Sequence, residues 1–175
     1  IYESVQLKQE LFDQLGKIMR PESIIGSNTS SIPISLLSEK LPFPDRMIGT
    51  HFFGPVPLMG LVELVMGPET SSATLKRAKA YVRKIGKTPI VVHKPSPGFL
   101  VNRIFFATAL EALRCYSEGI GTPEDIDAGM RLGYGWSAGP FEILDNAGLD
   151  VMAAIFKVWG TEPPAQIQEL LKKGH

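Results

Sequence analysis

Apolar residues recur along the first half of this chain in two patterns, and each pattern predicts its own kind of element. A spacing of three or four residues, typical of the buried face of a helix, runs through residues 1–19, 34–41 and 71–85. Short apolar runs that end in polar or glycine-rich residues, as buried strands do, lie at residues 24–25, 47–52, 61–66 and 89–93. The order α-β-α-β-β-α-β predicts a sheet layered with helices.

A segment rich in proline and glycine, Lys94–Gly98, separates this half from a second half in which every pattern is helical. Thr122 starts one of these helices, because it is followed by proline and two acids. The other helical patterns span residues 99–118, 140–144, 149–159 and 164–173. We therefore predict an α/β domain over residues 1–96 and an all-α domain over residues 97–175.

Three of the predicted strands carry side chains that can do chemistry. The hydroxyl groups of Thr29, Ser30 and Ser31 follow the first strand, and His51 leaves the second. Glu63 is the only charge inside the third apolar run, and a buried carboxylate is costly unless it is paired. We predict that it pairs with the histidine of the neighbouring strand end, at the carboxyl edge of an open parallel sheet where ligands bind. A histidine–carboxylate pair beside hydroxyls is typical of proton transfer.

Four motifs in this order resemble the short-chain L-3-hydroxyacyl-CoA dehydrogenase family. They are Ser-Asn-Thr-Ser-Ser at residues 27–31, His-Phe-Phe-x-Pro at 51–55 followed by Glu63, Pro-Gly-Phe-Leu-Val-Asn-Arg at 97–103 and Gly-Pro-Phe-Glu-Ile-Leu-Asp at 139–145. The resemblance extends from the first residues to about residue 160. It implies a Rossmann-like NAD-binding domain before a helical substrate and dimerisation domain. It also implies NAD-dependent oxidation of L-3-hydroxyacyl-CoA to 3-oxoacyl-CoA, as in fatty-acid β-oxidation or butanoate-type metabolism.

The resemblance implies a role for each matching residue at the substrate. His51 is the base that takes the hydroxyl proton as hydride leaves the carbon, and Glu63 is its partner. Ser30 hydrogen-bonds the reacting oxygen, with Ser31 as the adjacent alternative if the register is shifted by one residue. Asn102, near the start of the first helix of the second domain, reaches toward the same oxygen.

On the cofactor side, the resemblance implies that Glu3 and Lys8 contact the ribose of NAD and that Asn28 lies near the nicotinamide. Two positions depart from the family. Gly54 stands where members commonly carry asparagine, and Gly60 replaces a commonly larger residue. An asparagine amide at position 54 would supply a hydrogen bond near the nicotinamide or the substrate, so its loss changes the expected cofactor geometry but leaves the histidine–glutamate pair in place.

The glycine-rich motif that cradles a dinucleotide pyrophosphate is the other departure. No Gly-x-Gly-x-x-Gly occurs in the 175 residues. In the family resembled, this motif would precede Ile1, and the chain begins without a methionine. We therefore expect a fragment that lacks roughly the first hundred residues, about half of such a domain, and that is inactive by itself.

The composition limits the classes of molecule that the chain is expected to bind. The formal net charge is zero and no basic cluster is present, which argues against nucleic acid. The single cysteine, Cys115, predicts a fold that disulfides do not hold together, which permits a reducing compartment. We expect the chain in the cytoplasm, or in a mitochondrion or peroxisome if it is eukaryotic. No apolar run approaches the roughly 20 residues that span a bilayer. We expect a 3-hydroxyacyl-CoA or 3-oxoacyl-CoA substrate, a homodimer formed through the helical domain, and no metal site.

Three other functions remain open from the sequence. A related dehydrogenase of small hydroxy acids is the nearest alternative, although the apolar Phe52-Phe53 pair with Val56 and Leu58 favours an acyl thioester. A hydrolase could use Ser30 as nucleophile, but no Gly-x-Ser-x-Gly elbow is present. The fragment could also serve only as a helical oligomerisation module.

Overall fold

The structure is a computed structural model that describes residues 1–148, 153, 156, 162–163 and 165–172. The chain divides into two compact units, Ile1–Leu100 and Val101–His175. The helix predicted over residues 149–159 lies outside the described residues, apart from two isolated positions.

Unit 1 contains the predicted alternation of helices and strands. Its elements are α1 (Val5–Ile18), β1 (Ile25–Ser27), α2 (Ile34–Ser38), a 3₁₀ turn (Pro44–Arg46), β2 (Met47–Phe52), β3 (Leu61–Val65), α3 (Ser72–Lys84) and β4 (Thr88–Val92). The first helix begins later than predicted, because the hydroxyl of Ser4 accepts a hydrogen bond from the N–H of Leu7 and caps the helix there. Glu3 therefore lies before the helix rather than on it.

The four strands form one mixed sheet in the order β1-β2-β3-β4. The outer pairs β1–β2 and β3–β4 are parallel, whereas the central pair β2–β3 is antiparallel. The prediction of an open parallel sheet is therefore wrong for the central pair. The connection over residues 53–60 contains no helix, and it is shorter than the dozen or more residues that a parallel crossover needs. The chain consequently turns back, and β3 pairs directly with β2.

Side chains alternate between the two faces of this sheet, and each face has its own core. On one face, Met47 and Val65 join a core with residues of α1 and α2 and with Phe99. On the other face, three strand residues pack against α3 in a core of Ile48, Val62, Leu64, Ala78 and Val82. The even spacing along each strand places His51 and Glu63 on the same face as Met47 and Val65.

Unit 2 is helical over its described residues. Its helices are α4 (Val101–Ser117), α5 (Pro123–Tyr134), α6 (Pro140–Ala147) and α7 (Ala165–Lys172). The predicted helix start at Thr122 is confirmed, because its hydroxyl accepts a hydrogen bond from the N–H of Asp125 at 3.1 Å. The buried core of the unit comprises Phe106, Ala109, Leu113, Leu144, Phe156 and Ile167. Within the described part of the chain, no helix combines the length and apolarity needed to cross a membrane.

The N-terminus of α6 is held by a side chain of α5. The two carboxylate oxygens of Asp127 accept hydrogen bonds from the N–H groups of Phe141 and Glu142, at 2.8 and 3.0 Å. These N–H groups have no partner inside the helix, and a carboxylate also favours the positive end of the helix dipole. A Cβ atom on Gly139 would lie 2.3 Å from this carboxylate, so the position needs glycine.

Candidate active site

The structure brings His51 and Glu63 together inside unit 1. The Nδ1 atom of His51 lies 2.7 Å from Oε2 of Glu63. Both residues are buried, with 4% and 0% of their surfaces exposed. A carboxylate only accepts hydrogen bonds, so with Glu63 ionised the neutral imidazole carries its proton on Nδ1 and presents a lone pair on Nε2. This arrangement suits a base that takes a proton from a ligand through Nε2.

The antiparallel pairing of β2 and β3 creates this contact. The Cα atoms of His51 and Glu63 are direct partners in the ladder. Side chains of directly opposite residues project from the same face of a sheet, about 4.5–5.5 Å apart at Cβ. The two side chains are therefore neighbours because of the strand register, and no flexible loop is needed to place either of them.

The rings of Phe53 and Phe99 and the backbone amide of Leu100 lie beside the pair. The ring centroids of Phe53 and Phe99 lie 4.7 and 5.5 Å from that of His51. The N–H of Leu100 donates a hydrogen bond of 3.2 Å to Oε1 of Glu63. Both carboxylate oxygens are thus engaged, and the apolar rings limit the access of water, which strengthens the interaction between the two polar groups.

The serine turn, residues 28–32, begins beside the strand end that carries the histidine. Oδ1 of Asn28 accepts a hydrogen bond of 2.9 Å from the N–H of Phe52, which ties the end of β1 to the end of β2. The buried hydroxyl of Thr29 accepts bonds from the N–H groups of Ser31 and Ile32, at 3.3 and 2.8 Å. Thr29 therefore shapes the turn, and Ser30 lies exposed at its tip.

Glu3 connects the N-terminal segment to this turn. Its carboxylate accepts hydrogen bonds from the ammonium of Lys8 and the hydroxyl of Thr29, and the hydroxyl of Ser31 lies 3.4 Å away. Partial burial works to raise the pKa of Glu3. The hydrogen bonds from Lys8, Thr29 and the Ser30 backbone, with the charge of Lys8, outweigh it and hold the pKa below its ordinary value.

The two cofactor-side residues predicted at the N-terminus differ in exposure. The side chain of Glu3 is 42% exposed, whereas that of Lys8 is only 6% exposed. Lys8 is therefore not a solvated surface lysine, because its ammonium is committed to the glutamate. Gly54 is exposed, and a Cβ atom there would meet nothing within 4 Å.

Asn102 is the one predicted site residue that belongs to unit 2. It is the second residue of α4 and is half-buried. The assignment of Asn102 to the substrate oxygen stays a prediction.

Sequence reasoning missed three contributions to the site. They are the hydrogen bonds by which the Thr29 hydroxyl holds the backbone of the serine turn, the ring of Phe99 against His51, and the Leu100 amide on Glu63. Each contact joins segments that are remote in sequence or depends on backbone conformation, and neither property can be read from residue spacing. For the contacts of Phe99 and Leu100, the sequence offers only the apolar run after Gly98. That run predicts burial but does not indicate which residues it packs against.

Both halves of the chain match families of known proteins. Residues 1–95 match the family model described as "3-hydroxyacyl-CoA dehydrogenase, NAD binding domain". Residues 98–173 match "3-hydroxyacyl-CoA dehydrogenase, C-terminal domain". These matches define an NAD-binding α/β domain followed by a helical domain, which is the architecture of a dehydrogenase.

Individual relatives lead to the same family. A probable 3-hydroxybutyryl-CoA dehydrogenase of Deinococcus radiodurans is 45% identical over 158 residues, which cover 90% of this chain and 56% of the relative. The mitochondrial hydroxyacyl-coenzyme A dehydrogenase of Sus scrofa is 44% identical over 159 residues, or 91% of this chain and 50% of the relative. The chain thus spans about half the length of the curated relatives it matches.

A solved structure agrees with these relatives. The (S)-3-hydroxybutyryl-CoA dehydrogenase from Ralstonia eutropha has a TM-score of 0.89 and 42% identity, with 99% of this chain and 63% of that structure covered. The chain belongs to the 3-hydroxyacyl-CoA dehydrogenase family, as the resemblance of its motifs predicted.

Proposed function

We propose that the protein to which this chain belongs is an NAD-dependent L-3-hydroxyacyl-CoA dehydrogenase. It oxidises a 3-hydroxyacyl thioester to the 3-oxoacyl thioester, or runs in reverse, in fatty-acid β-oxidation or butanoate-type metabolism. The observation that carries the proposal is the buried contact between Nδ1 of His51 and Oε2 of Glu63, in a chain that matches the family over both domains.

The His51–Glu63 pair moves the proton. Glu63 holds the proton on Nδ1, which leaves the lone pair of Nε2 to take the proton of the substrate hydroxyl. The ring then becomes an imidazolium, and the adjacent carboxylate stabilises its charge in an environment that excludes most water. In the reverse direction, Nε2 returns this proton to the oxygen of the ketone. NAD, when bound, supplies the acceptor for the hydride that leaves the carbon.

Ser30 and Asn102 are the proposed hydrogen-bond donors to the reacting oxygen. Ser30 is exposed at the tip of the serine turn, whereas the hydroxyl of Ser31 lies 3.4 Å from Glu3. This difference favours Ser30 over its neighbour for a substrate contact. Asn102 would contribute from the start of α4, where its amide can both donate and accept.

The residues on the cofactor side fit a nicotinamide dinucleotide in their chemistry. The half-exposed carboxylate of Glu3 can accept hydrogen bonds from ribose hydroxyls. Lys8 is turned to that carboxylate, so we assign it the task of orienting Glu3. Asn28 uses Oδ1 on the backbone of Phe52, which leaves its Nδ2 donors for the nicotinamide end.

The chain would supply only the later half of the NAD-binding domain. It spans about half of its curated relatives, and its sequence contains no Gly-x-Gly-x-x-Gly. The glycine-rich motif that binds the pyrophosphate lies between a strand and a helix at the start of such a domain. It would then come from a segment that precedes this chain. We expect the 175-residue chain alone to show no turnover.

The helical unit is the proposed site of homodimer formation. Large apolar side chains are exposed on its described helices, and they are Ile104 on α4 and Leu132 and Tyr134 on α5, with exposed fractions of 61%, 88% and 80%. Exposed apolar groups of this size are typical of interaction surfaces when they are contiguous. Concentration-dependent mass measurements on the chain and on Leu132→Lys test this part of the proposal.

The proposed activity is tested with a complemented chain. The segment of the Deinococcus radiodurans relative that precedes the matched region is fused before Ile1, and loss of NADH absorbance is followed with acetoacetyl-CoA. Turnover by the fusion and none by the isolated chain is the expected result. An inert fusion toward several 3-oxoacyl-CoA chain lengths contradicts the thioester assignment. Turnover of small keto acids instead would support the hydroxy-acid alternative, and oligomerisation without nucleotide binding would support the non-catalytic one.

A further inference from the structure

A single peptide group connects Ser96 to the carboxylate of Glu63. The carbonyl oxygen of Phe99 accepts a hydrogen bond of 2.8 Å from the hydroxyl of Ser96. The N–H of Leu100, which belongs to the same peptide group, donates to Oε1 of Glu63 at 3.2 Å. Because a peptide group is planar, fixing the direction of its C=O also fixes the direction of its N–H. The Ser96 hydroxyl therefore sets the direction from which the amide reaches the glutamate.

The backbone of Phe99 adopts a conformation that a residue with a side chain seldom takes. Its φ is +51°, in the left-handed region, and it follows Gly98 at φ +72°. Such a conformation is unfavourable for phenylalanine and persists only when its surroundings require it. Two hydrogen bonds to Ser96 hold this conformation, because the N–H of Phe99 also donates to the carbonyl of Ser96 at 2.9 Å.

The side chain of Phe99 completes the arrangement. The residue is 4% exposed, and its ring packs edge-on against the imidazole of His51, with the two ring planes at 67°. Phe99 thus contacts His51 through its ring, and the peptide group that it shares with Leu100 contacts Glu63. A chain of hydrogen bonds runs from Ser96 through this peptide group and Glu63 to His51, and such chains strengthen their members.

We propose that Ser96 and Phe99 are positioning residues for the acid–base pair. Neither is assigned any contact with substrate, and both act by orienting the Glu63 carboxylate and the His51 ring. The inference rests on the proposed function, because it names the groups that hold the proposed base and its partner. It predicts that removing the Ser96 hydroxyl loosens the Glu63–His51 hydrogen bond without removing either partner.

The first test observes this hydrogen bond directly and needs no turnover. In the 175-residue chain, the Nδ1 proton of His51 is followed by NMR, and its exchange with water is measured. Ser96→Ala is expected to raise the exchange rate about tenfold, the equivalent of weakening one hydrogen bond, and Ser96→Thr, which keeps a hydroxyl, to stay within about twofold of the unsubstituted chain. Ser38→Ala is the matched control, because Ser38 also donates to a carbonyl three residues away, at 3.2 Å. Unchanged exchange in Ser96→Ala overturns the proposal.

The second test separates positioning from binding in the complemented fusion. Ser96→Ala and Phe99→Leu are expected to lower kcat about tenfold, because a slightly misplaced base reacts more slowly, while the KM for acetoacetyl-CoA stays within about twofold. A change confined to KM, or wild-type kcat in both variants, contradicts the inference and leaves the proposed activity standing. If the unsubstituted fusion itself is inert, the proposed activity fails, and the NMR experiment still decides whether the two residues position the pair.

Discussion

Nδ1 of His51 lies 2.7 Å from Oε2 of Glu63, across the antiparallel ladder in which the two residues are direct partners. The contact is therefore encoded in the register of the sheet. A shift of the register by one residue would send one of the two side chains to the opposite face. The apolar residues around Glu63 pin this register, because Val62 and Leu64 must face one core while Val65 faces the other.

Replacing Glu63 by glutamine keeps the shape of the pair and removes its negative charge. An amide oxygen can still accept from Nδ1, but it stabilises an imidazolium less well than a carboxylate does. We expect Glu63→Gln to lower kcat of the complemented fusion by about 10²–10⁴-fold, with an unchanged circular dichroism spectrum. Glu69→Gln is the control, because Glu69 is an exposed acid of the same unit. A Glu63→Gln variant as fast as the control would refute the role of the carboxylate.

The pairing of His51 with Glu63 was predictable from the sequence, but the relative direction of their two strands was predicted wrongly. A single acid in an apolar strand must find a partner, and a histidine stood at the end of the preceding strand. The antiparallel direction was also available in principle, since residues 53–60 are too few for a crossover helix. The prediction of a uniformly parallel sheet is wrong here, because β3 turns back and pairs antiparallel with β2.

Glu3 should make the stability of the fold depend on pH. Burial alone would raise its pKa, but the hydrogen bonds from Lys8 and Thr29 and the charge of Lys8 lower it below its ordinary value of 4.5. A lowered pKa means that the ionised carboxylate stabilises the folded state above about pH 4.5 and that this contribution disappears as the pH falls through the folded-state pKa. Because the side chain is 42% exposed, the contribution is at most about 1 kcal/mol.

Urea unfolding of the unsubstituted 175-residue chain (the parent) and of its Glu3→Gln variant, at pH 7 and pH 3, measures this contribution. The parent is expected to be the more stable protein at pH 7, and the difference should shrink at pH 3. Glu39→Gln, at an exposed position of the same unit, should show no difference at either pH. A gap between parent and Glu3→Gln that is equal at both pH values would mean that the charge of Glu3 contributes nothing.

Gly54 offers a gain of function by a single substitution. A Cβ atom there meets nothing within 4 Å, so a side chain can be added without a clash. We expect Gly54→Asn to leave stability within about 0.5 kcal/mol and to raise kcat/KM of the fusion by roughly three- to tenfold, the value of one hydrogen bond to the nicotinamide or substrate. Gly54→Ala separates the amide from the added bulk and should match the parent. An equal gain in both variants would contradict the hydrogen-bond account.

The carboxylate of Asp127 should support the start of α6. Asp127→Ala removes the acceptor for two N–H groups and leaves a helix end without its cap, which costs about 1–2 kcal/mol. Hydrogen exchange of the Phe141 and Glu142 amides should accelerate accordingly. Asp145→Ala, at an exposed position of the same helix, should leave these amides unchanged. Equal protection in Asp127→Ala and the parent would show that the cap contributes no stability.

The contacts around Lys8 and Phe99 show what the local pattern cannot reveal. Lys8 lies on a helix whose polar positions predict exposure to solvent, yet it is buried. Its ammonium pairs with the carboxylate of Glu3, which also accepts a hydrogen bond from the hydroxyl of Thr29, a residue remote in sequence. Phe99 follows Pro97-Gly98, which predicted a domain boundary. Those residues do not predict that the backbone of Phe99 adopts a positive φ. The order of the elements and the helix start at Thr122 follow from the sequence pattern. The Ser4 cap and the contacts of Lys8 and Phe99 depend on the assembled unit.

His51→Gln in the complemented fusion, assayed by loss of NADH absorbance with acetoacetyl-CoA, tests the central claim most directly. Removing a general base costs about 10²–10⁴ in rate, and glutamine cannot take the proton. We predict a fall of kcat in this range, with NADH binding within about twofold of the parent because His51 is assigned no cofactor contact. A His51→Gln fusion that turns over acetoacetyl-CoA at the rate of the parent would contradict the assignment of His51 and Glu63 as the proton-transfer pair.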